Sequence, residues 1–323
     1  MTDSKQPHGW LILDKPRGLG STQAVAAVKR NLRQAGYGKV KVGHGGTLDP
    51  LAQGVLPIAL GEATKLAGRM LDASKIYDFT VRFGEETDTL DAEGAAVVTS
   101  DYRPSLKEIE AILPRFTGHI QQVPPAYSAL KVGGQRAYAL ARSGAEVELT
   151  TRAVIIQSLI PVRIERSRDA ARGVSTTLDT NGRLEGVTLR ADVSKGTYIR
   201  SLARDIARAM GTVGHVTYLR RVKAGPFGED TAISLDMLNE IGKGAPLHDH
   251  LLPLEAGLDD IPALALTPTS AQAVRQGRVL SGLPQPDGLH FAKLGNTPVA
   301  LVEIAGGTAR VVRGFNLPND VAE

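Results

Sequence analysis

The sequence predicts an α+β fold with a largely antiparallel sheet. Helix-like and strand-like segments follow one another in irregular order with hairpin-like pairs, unlike the regular strand–helix alternation of a parallel sheet. A final run of short strand-like segments predicts a small β-barrel at the C-terminal end. We therefore expect a flexible tail at 1–8, a main domain at 9–260 and a small domain at 261–323.

The first half of the main domain is expected to begin with a strand over 9–14. A helix is predicted over 21–33, capped by one of its first two hydroxyl residues and apolar along one face. Residues 75–83 alternate as a strand does, and 94–99 is predicted as the partner of that strand across an acidic loop. A second helix is predicted over 105–113, where apolar residues recur at helical spacing.

The second half of the main domain contains an excursion and an insertion. Residues 121–144 are punctuated by proline and glycine, which predicts an excursion from the sheet. Strands are predicted over 153–164 and 185–193, separated by a polar insertion at 165–183 that predicts an extended hairpin or a mobile loop. A helix is expected over 201–210.

The small C-terminal domain is predicted from three short segments after a region rich in proline, glycine and histidine that ends near residue 262. They are a helix over 270–277 and strands over 299–304 and 310–313.

Composition predicts a soluble, cytoplasmic globular protein. Of the 323 residues 42% are hydrophobic, yet no apolar run approaches the roughly 18 residues of a membrane helix. The first eight residues are polar, unlike a signal peptide. Without cysteine there is no disulfide and no thiolate metal site, which fits a reducing compartment. His248-Asp249-His250 lacks a further ligand at suitable spacing, so no metal is expected.

Positive charge is concentrated in two groups, although the net charge is only +4. One lies within residues 29–41, and the other within 195–223 has a single acid, Asp205. Each is next to a glycine-containing turn. Either group alone can be a solvated helix face, but together they favour a surface that follows the phosphates of a polyanion.

The most informative segment is Gly43-His44-Gly45-Gly46-Thr47-Leu48-Asp49-Pro50. Glycines allow φ > 0 and close approach of another molecule, and Pro50 suits the first residue of a helix. Asp49 is therefore expected at a loop-to-helix junction beside a cleft. A lone Asp-Pro is more often a simple helix cap, so the wider context has to decide its role.

That context closely resembles the TruB family of tRNA pseudouridine synthases. Gly45 stands where the family often has threonine. The resemblance extends in family order over residues 9–228, through the following blocks: Leu13-Asp14-Lys15-Pro16 with Gly18; Lys75-Ile76-Tyr77; Gly84, Thr87, Thr89, Asp91 and Gly94; Gln122-Val123-Pro124-Pro125 with Tyr127-Ser128-Ala129 and Lys131; Gly196-Thr197-Tyr198-Ile199-Arg200 with Leu202 and Asp205; and His215 with Leu219-Arg220-Arg221. It implies a curved mixed sheet with a central cleft and a C-terminal PUA-type RNA-binding domain.

The resemblance also implies an activity, the conversion of uridine 55 in the T loop of tRNA to pseudouridine without a cofactor. Asp49 would be the nucleophile and Arg200 its ion-pair partner. Tyr77 would stack on the base and assist proton removal, with Tyr198 and Leu219 lining the uridine pocket. The family histidine matching His44 occupies the space that the flipped base leaves.

The resemblance and the charge pattern together indicate RNA contacts. In the family the 121–144 excursion clamps the T stem-loop. The candidates for RNA-backbone contact are Lys15, Lys131, Arg136, Arg142, Arg220 and Arg221. We expect tRNA as the partner, no obligatory protein partner, no membrane and a monomer.

Alternatives remain for individual residues and for the whole chain. Arg200 alone could be a phosphate or surface contact, Tyr77 a half-buried strand tyrosine, and Asp91 is expected to be a turn or capping residue. The whole chain could instead be an RNA-binding or tRNA-folding module, or a guide-RNA-dependent relative, which usually needs protein partners.

Overall fold

The computed structural model describes residues 6–128, 130–132, 135–136, 149–162, 177–178 and 183–317. Its helices are α1 (Ser21–Gln34), α2 (Ala67–Asp72), α3 (Leu106–Ile112), α4 (Ile199–Ala209), α5 (Leu235–Gly242) and α6 (Pro268–Arg275). The strands up to residue 252 are β1 (Gly9–Lys15), β2 (Val42–His44), β3 (Gln53–Leu60), β4 (Lys75–Phe83), β5 (Glu85–Thr87), β6 (Ala96–Thr99), β7 (Gly118–Gln122), β8 (Lys131–Val132), β9 (Gln135–Arg136), β10 (Arg152–Pro161), β11 (Thr177–Leu178), β12 (Leu184–Val193), β13 (Gly214–Ala224), β14 (Phe227–Gly228) and β15 (Leu251–Leu252). The remaining strands are β16 (Ala263–Ala265), β17 (Leu280–Ser281), β18 (Gly288–Leu294), β19 (Thr297–Ala305) and β20 (Thr308–Gly314).

The main sheet has the order β15-β1-β3-β13-β4-β12-β10-β7, with β2, β11 and β14 attached at its sides. The pairing of β13 with β3 is parallel, and the other pairings between strands of this sheet in the described ranges are antiparallel. The predicted α+β fold with a largely antiparallel sheet is therefore confirmed.

Strand β1 is buried on both of its faces because the sheet is covered on both sides. Leu11 and Leu13 belong to the large core that α1, α4 and α5 complete. Trp10 and Ile12 point the other way, as alternate strand residues must, into a second core. All four side chains have zero solvent exposure.

The C-terminal strands form a separate curled sheet in the order β16-β18-β19-β20-β17. This sheet agrees with the PUA-like domain that the resemblance predicts. Phe291, Leu301 and Phe315 pack into the same core as Trp10, so the sheet is docked on the main domain by apolar burial. The Nζ atom of Lys65 adds a hydrogen bond of 2.8 Å across the junction, to the carbonyl of Gly314.

The predicted partner of strand 75–83 is wrong. Strand β6 (Ala96–Thr99) pairs with β5, whereas β4 lies between β12 and β13. The nine-residue β4 can be paired along its length only by strands as long as β12 and β13. All four side chains of β6 are exposed, which suits a small hairpin outside the main sheet.

The predicted helix start at Pro50 is also wrong, because the chain turns directly into β3. Seven of the eight residues of β3 are buried. It pairs along its length with β1 on one side, and with β13 and β2 at its two ends on the other. The cap of α1 is Gly20, whose N–H donates to Gln23 Oε1 over 2.8 Å. Ser21 is buried and has a different role, described below.

Other differences concern segment ends and missed strands. Strand β10 ends at Pro161, and the eleven-residue β13 was not predicted because five polar or charged residues between 217 and 223 conceal its alternation. His8 accepts a hydrogen bond of 3.1 Å from the Glu62 N–H, so the packed chain begins before Gly9. Most of the 165–183 insertion lies outside the described residues. In the ranges that the structure describes, no helix is long and apolar enough to cross a membrane.

Candidate active site

Asp49 lies in the turn between β2 and β3, and the start of α1 holds this turn. The Ser21 hydroxyl donates to the Leu48 carbonyl over 2.9 Å and accepts from the Leu48 N–H over 2.8 Å. On the other side of Asp49, the carbonyl of Pro50 accepts from the Gly18 N–H over 2.7 Å. The backbone that carries the carboxylate is therefore fixed on both sides.

The glycines of this turn are required by close packing. A Cβ atom at Gly45 would lie 2.5 Å from the Cβ of Met70, and Gly46 has a φ of +126°. The variable position of the motif is therefore glycine here because Met70 leaves no space for a side chain.

The Asp49 carboxylate meets the guanidinium of Arg200, at the start of α4. The Arg200 Nη2 atom donates to Asp49 Oδ2 over 2.8 Å. Arg200 is almost fully buried, with 7% of its side chain exposed, whereas 44% of the Asp49 side chain is exposed. The carboxylate is therefore both anchored and accessible to a molecule in the cleft.

Asp91 is a second carboxylate on Arg200, and the sequence analysis did not predict this contact. Its Oδ2 atom lies 3.1 Å from Arg200 Nη1. Asp91 is also the expected turn residue, because its Oδ1 atom accepts from Thr89 Oγ1 and the Glu93 N–H over 2.6 and 3.1 Å. The repeated letters Thr-Leu-Asp were the available signal, but nothing in the sequence brings residues 91 and 200 together.

Two carbonyl oxygens complete the surroundings of Arg200. Nη1 donates to Thr89 over 2.8 Å and Nη2 donates to Tyr127 over 2.9 Å. Tyr127 lies within the 121–144 excursion that is predicted to clamp RNA, so its position and the orientation of the guanidinium are linked through one hydrogen bond.

A cavity of about 560 Å³ opens above Asp49. Its walls include Tyr77 from β4, Leu219 from β13 and Tyr198 from the turn before α4. The side chain of Gln122 holds this turn, because it accepts from the Tyr198 N–H and donates to the Tyr198 carbonyl over 2.8 and 3.2 Å. Burial raises the pKa of the Tyr198 phenol, so it stays protonated. An aromatic and apolar cavity above a carboxylate can hold a planar base.

His44 lies on β2, opposite Ile58 of β3, rather than in the cavity wall. Burial and, to a smaller extent, the charge of Arg221 lower the pKa of the imidazole, so the ring is neutral near pH 7. Its Nδ1 atom is buried and has no hydrogen-bond partner.

Three of the residues predicted to contact the RNA backbone have internal partners in the structure. Lys15 is fully buried and donates to the carbonyls of Pro16 and Leu19 over 3.0 and 2.7 Å. Burial lowers the pKa of Lys15 to about 8. A phosphate would approach from solvent. The Lys15 ammonium group is enclosed by the turn that follows it and does not face solvent.

Arg220 and Arg221 are likewise committed to the protein. Arg220 forms ion pairs with Asp14 and Glu229. Arg221 is 1% exposed and donates to the carbonyls of Val55 and Gly46. Arg221 therefore supports the glycine turn of Asp49 from below. The backbones of Lys131 and Arg136 pair across β8 and β9, and Arg142 lies outside the described residues.

The two basic groups differ in the structure. Most cations of the 195–223 group have carboxylate partners, namely Lys195 with Asp72, Arg200 with Asp49 and Asp91, Arg204 with Asp205, Arg208 with Glu86, and Arg220 with Asp14 and Glu229. In the 29–41 group, Arg30, Arg33, Lys39 and Lys41 are exposed. A carboxylate at about 3 Å cancels much of the attraction of a cation for phosphate, so the 29–41 group is the better candidate for an RNA surface.

No cluster of three or more histidine, aspartate or glutamate side chains in the described ranges is arranged to hold a metal ion. The cleft itself contains a carboxylate held by a guanidinium, which can act as a nucleophile.

Two family models match consecutive parts of the chain. The family model described as TruB family pseudouridylate synthase (N terminal domain) matches residues 30–199. The model described as tRNA pseudouridylate synthase B C-terminal domain matches residues 200–259.

Curated relatives are similar over nearly their full length. The chain is 66% identical over 315 residues to "tRNA pseudouridine synthase B" of Novosphingobium aromaticivorans, covering 98% of this chain and 99% of that protein. It is 54% identical over 309 residues to the protein of the same name in Zymomonas mobilis, covering 96% of each.

Solved structures show the same fold at lower identity. One is described as an H/ACA RNP bound to a substrate RNA containing 2′-deoxyuridine, with a TM-score of 0.69 and 24% identity over 97% of this chain and 86% of that one. Another is described as a Cbf5–Nop10–Gar1 complex, with a TM-score of 0.69 and 25% identity over 99% of this chain and 92% of that one. These similarities concern the fold.

Proposed function

Because the chain belongs to the TruB family and is a tRNA pseudouridine synthase, we propose that it isomerises uridine 55 in the T loop of tRNA, with Asp49 as nucleophile. The observation that carries this proposal is the ion pair of Asp49 with the buried Arg200 at the floor of the cavity.

The reaction breaks the bond between N1 of uracil and C1′ of ribose, and forms a bond between C5 and C1′. A carboxylate nucleophile divides this step into two easier ones, and the product is an isomer of the substrate, so no redox cofactor takes part. Attack on C6 of the base, attack on C1′ and removal of the C2′ proton are three routes that all begin at the Asp49 carboxylate. Arg200 pairs with that carboxylate and fixes its direction through a charge-assisted hydrogen bond.

The flipped uracil would lie between Tyr77 and Leu219, on the cavity walls. Taking a base out of its stack costs a few kcal/mol, and the aromatic and apolar walls offset this cost by stacking and burial. We assign Tyr77 to the face of the base, where its phenol can assist removal of the C5 proton. His44 would contact the loop from which the base has been extruded.

The rest of the tRNA arm would lie on the exposed basic group at 29–41 and under the 121–144 excursion. We place the domain boundary near residue 260, and the C-terminal sheet would contact RNA beyond the T stem-loop. The protein would act in the cytoplasm, as a monomer and without a protein partner. Activity of the purified chain on bare tRNA, without guide RNA, would distinguish it from a guide-dependent enzyme.

The test is tritium release from an unmodified tRNA transcript labelled at C5 of uridine, with mass-spectrometric mapping of the product. We expect release from uridine 55 with the wild-type protein and a loss of roughly 10⁴-fold or more with Asp49→Asn, as for other removed nucleophiles. Asp236→Asn, an equal change on an exposed residue of α5, serves as the control. Normal turnover by Asp49→Asn, or product at another uridine, would contradict the proposal.

A further inference from the structure

Arg152 is the first residue of β10 and lies beside the turn that carries Tyr198. In the sheet it is paired with Gln122 of β7. The side chain of Gln122 holds both backbone groups of Tyr198. The strand pairing therefore brings Arg152 to the rim of the cavity, although it is 48 residues away from Arg200 along the chain.

The guanidinium of Arg152 lies over the ring of Tyr198, with 5.7 Å between its Cζ atom and the ring centroid. This distance is within the range of a cation–π interaction. Gly196, with a φ of +80°, leaves room at the same place, since a Cβ there would lie 3.6 Å from Arg152 Nη1. The turn 196–198 lines the cavity, so the guanidinium lies directly behind the cavity rim.

Arg152 has no carboxylate partner within the described ranges, in contrast to Arg200, Arg204, Arg208 and Arg220. Its Nε atom is buried and makes no hydrogen bond. A guanidinium has five N–H donors in a planar fork, and a buried donor without an acceptor is unfavourable. The half-buried Arg152 side chain is thus positioned and charged, with donors available to an anion.

We propose that Arg152 binds a phosphate of the tRNA strand beside the flipped uridine, with the Tyr198 ring holding the guanidinium in place. The planar fork matches a phosphate in two hydrogen bonds, which lysine does not reproduce. This inference rests on the proposed function, because the uridine above Asp49 brings the RNA backbone to the cavity rim. It also supplies, at the cavity itself, a phosphate contact that Lys15, Arg220 and Arg221 do not make.

The experiment measures equilibrium binding of an unmodified tRNA transcript to the full chain between 50 and 200 mM salt, for four proteins: wild type, Arg152→Gln, Arg152→Lys and Lys243→Gln. Lys243 is an exposed cation beyond α5, so its variant is matched in charge. Each phosphate contact contributes about 0.7–0.9 to the slope of log affinity against log salt. Tritium release at saturating protein is measured in parallel, and thermal unfolding checks that each variant is folded.

For Arg152→Gln we expect a slope that is lower by about 0.7–0.9 and an affinity roughly tenfold lower at 0.15 M salt, with an unchanged rate at saturation. Arg152→Lys should keep the wild-type slope with intermediate affinity, and Lys243→Gln should match the wild type. A wild-type slope for Arg152→Gln would overturn the proposal. If that wild-type slope came with a slower rate at saturating protein, the role of Arg152 would be only to position Tyr198. Absence of tritium release by the wild type would instead contradict the proposed function.

Discussion

Replacing Ser21 by alanine tests how the Asp49 turn is held. The Ser21 hydroxyl makes two hydrogen bonds to one peptide group, donating to the Leu48 carbonyl and accepting from the Leu48 N–H. Both residues are buried, with 4% of each exposed. Alanine would leave the N–H and the carbonyl without partners and out of reach of solvent.

The magnitude follows from these two groups. A buried donor or acceptor left unsatisfied costs about 1–3 kcal/mol, so Ser21→Ala should lower the free energy of unfolding by roughly 2–4 kcal/mol. With an unfolding entropy of about 2.1 cal/mol/K per residue, this loss lowers the Tm by roughly 3–6 °C. Because Asp49 follows Leu48, the turn should also loosen, and a shift of the carboxylate by about 1 Å can slow the reaction by about 10²-fold.

Ser201→Ala is the matched control. Ser201 is fully buried, and its hydroxyl has no hydrogen-bond partner among the described residues, so its removal should leave the free energy of unfolding unchanged or slightly raised. The measurements are urea unfolding followed by circular dichroism, and single-turnover tritium release at saturating protein. Equal unfolding free energies for Ser21→Ala and Ser201→Ala would refute the reasoning, as would a destabilised Ser21→Ala protein with the full wild-type rate.

Three further changes test other contacts. Asp91→Asn removes one of the two carboxylates on Arg200. It should slow single-turnover catalysis by roughly 10–100-fold without weakening tRNA binding. An unchanged rate would show that Asp49 alone orients the guanidinium. Burial lowers the pKa of Lys15 to about 8 from 10.5, so the unfolded chain binds more protons between these values and stability from this group rises with pH. Lys15→Met should therefore reduce the slope of unfolding free energy against pH in this window by up to about 1.4 kcal/mol per pH unit, and an equal slope would contradict the burial argument. Gly257→Ala would place a Cβ 2.8 Å from the ring of Trp10. We expect the free energy of unfolding to fall by about 1–3 kcal/mol and the fluorescence emission of this single tryptophan to shift. Unchanged emission and stability would show that the packing around Trp10 adapts.

Much of the fold was predictable from local patterns. Strand 75–83 and the helix beginning at Ser21 follow from side-chain periodicity, because their apolar residues recur at strand and helix spacing. Strand β13 was missed since its charged residues, such as Arg221, are buried against the protein. The polar residues of this segment are typical of an exposed surface, whereas the structure places a central strand of the sheet there.

The family, the α+β class and Asp49 as the candidate nucleophile could all be predicted from the sequence, because they depend on motifs whose order along the chain is directly visible. Tertiary structure alone decided which charges meet. It placed Asp91 on Arg200, Ser21 under Leu48 and Arg152 over Tyr198, each contact joining segments far apart in the chain. It also determined which cations are neutralised by carboxylates and which remain available to RNA. The number of cations can be counted in the sequence, but the attraction between opposite charges depends on their distance and burial. Both are fixed only when strands and helices pack.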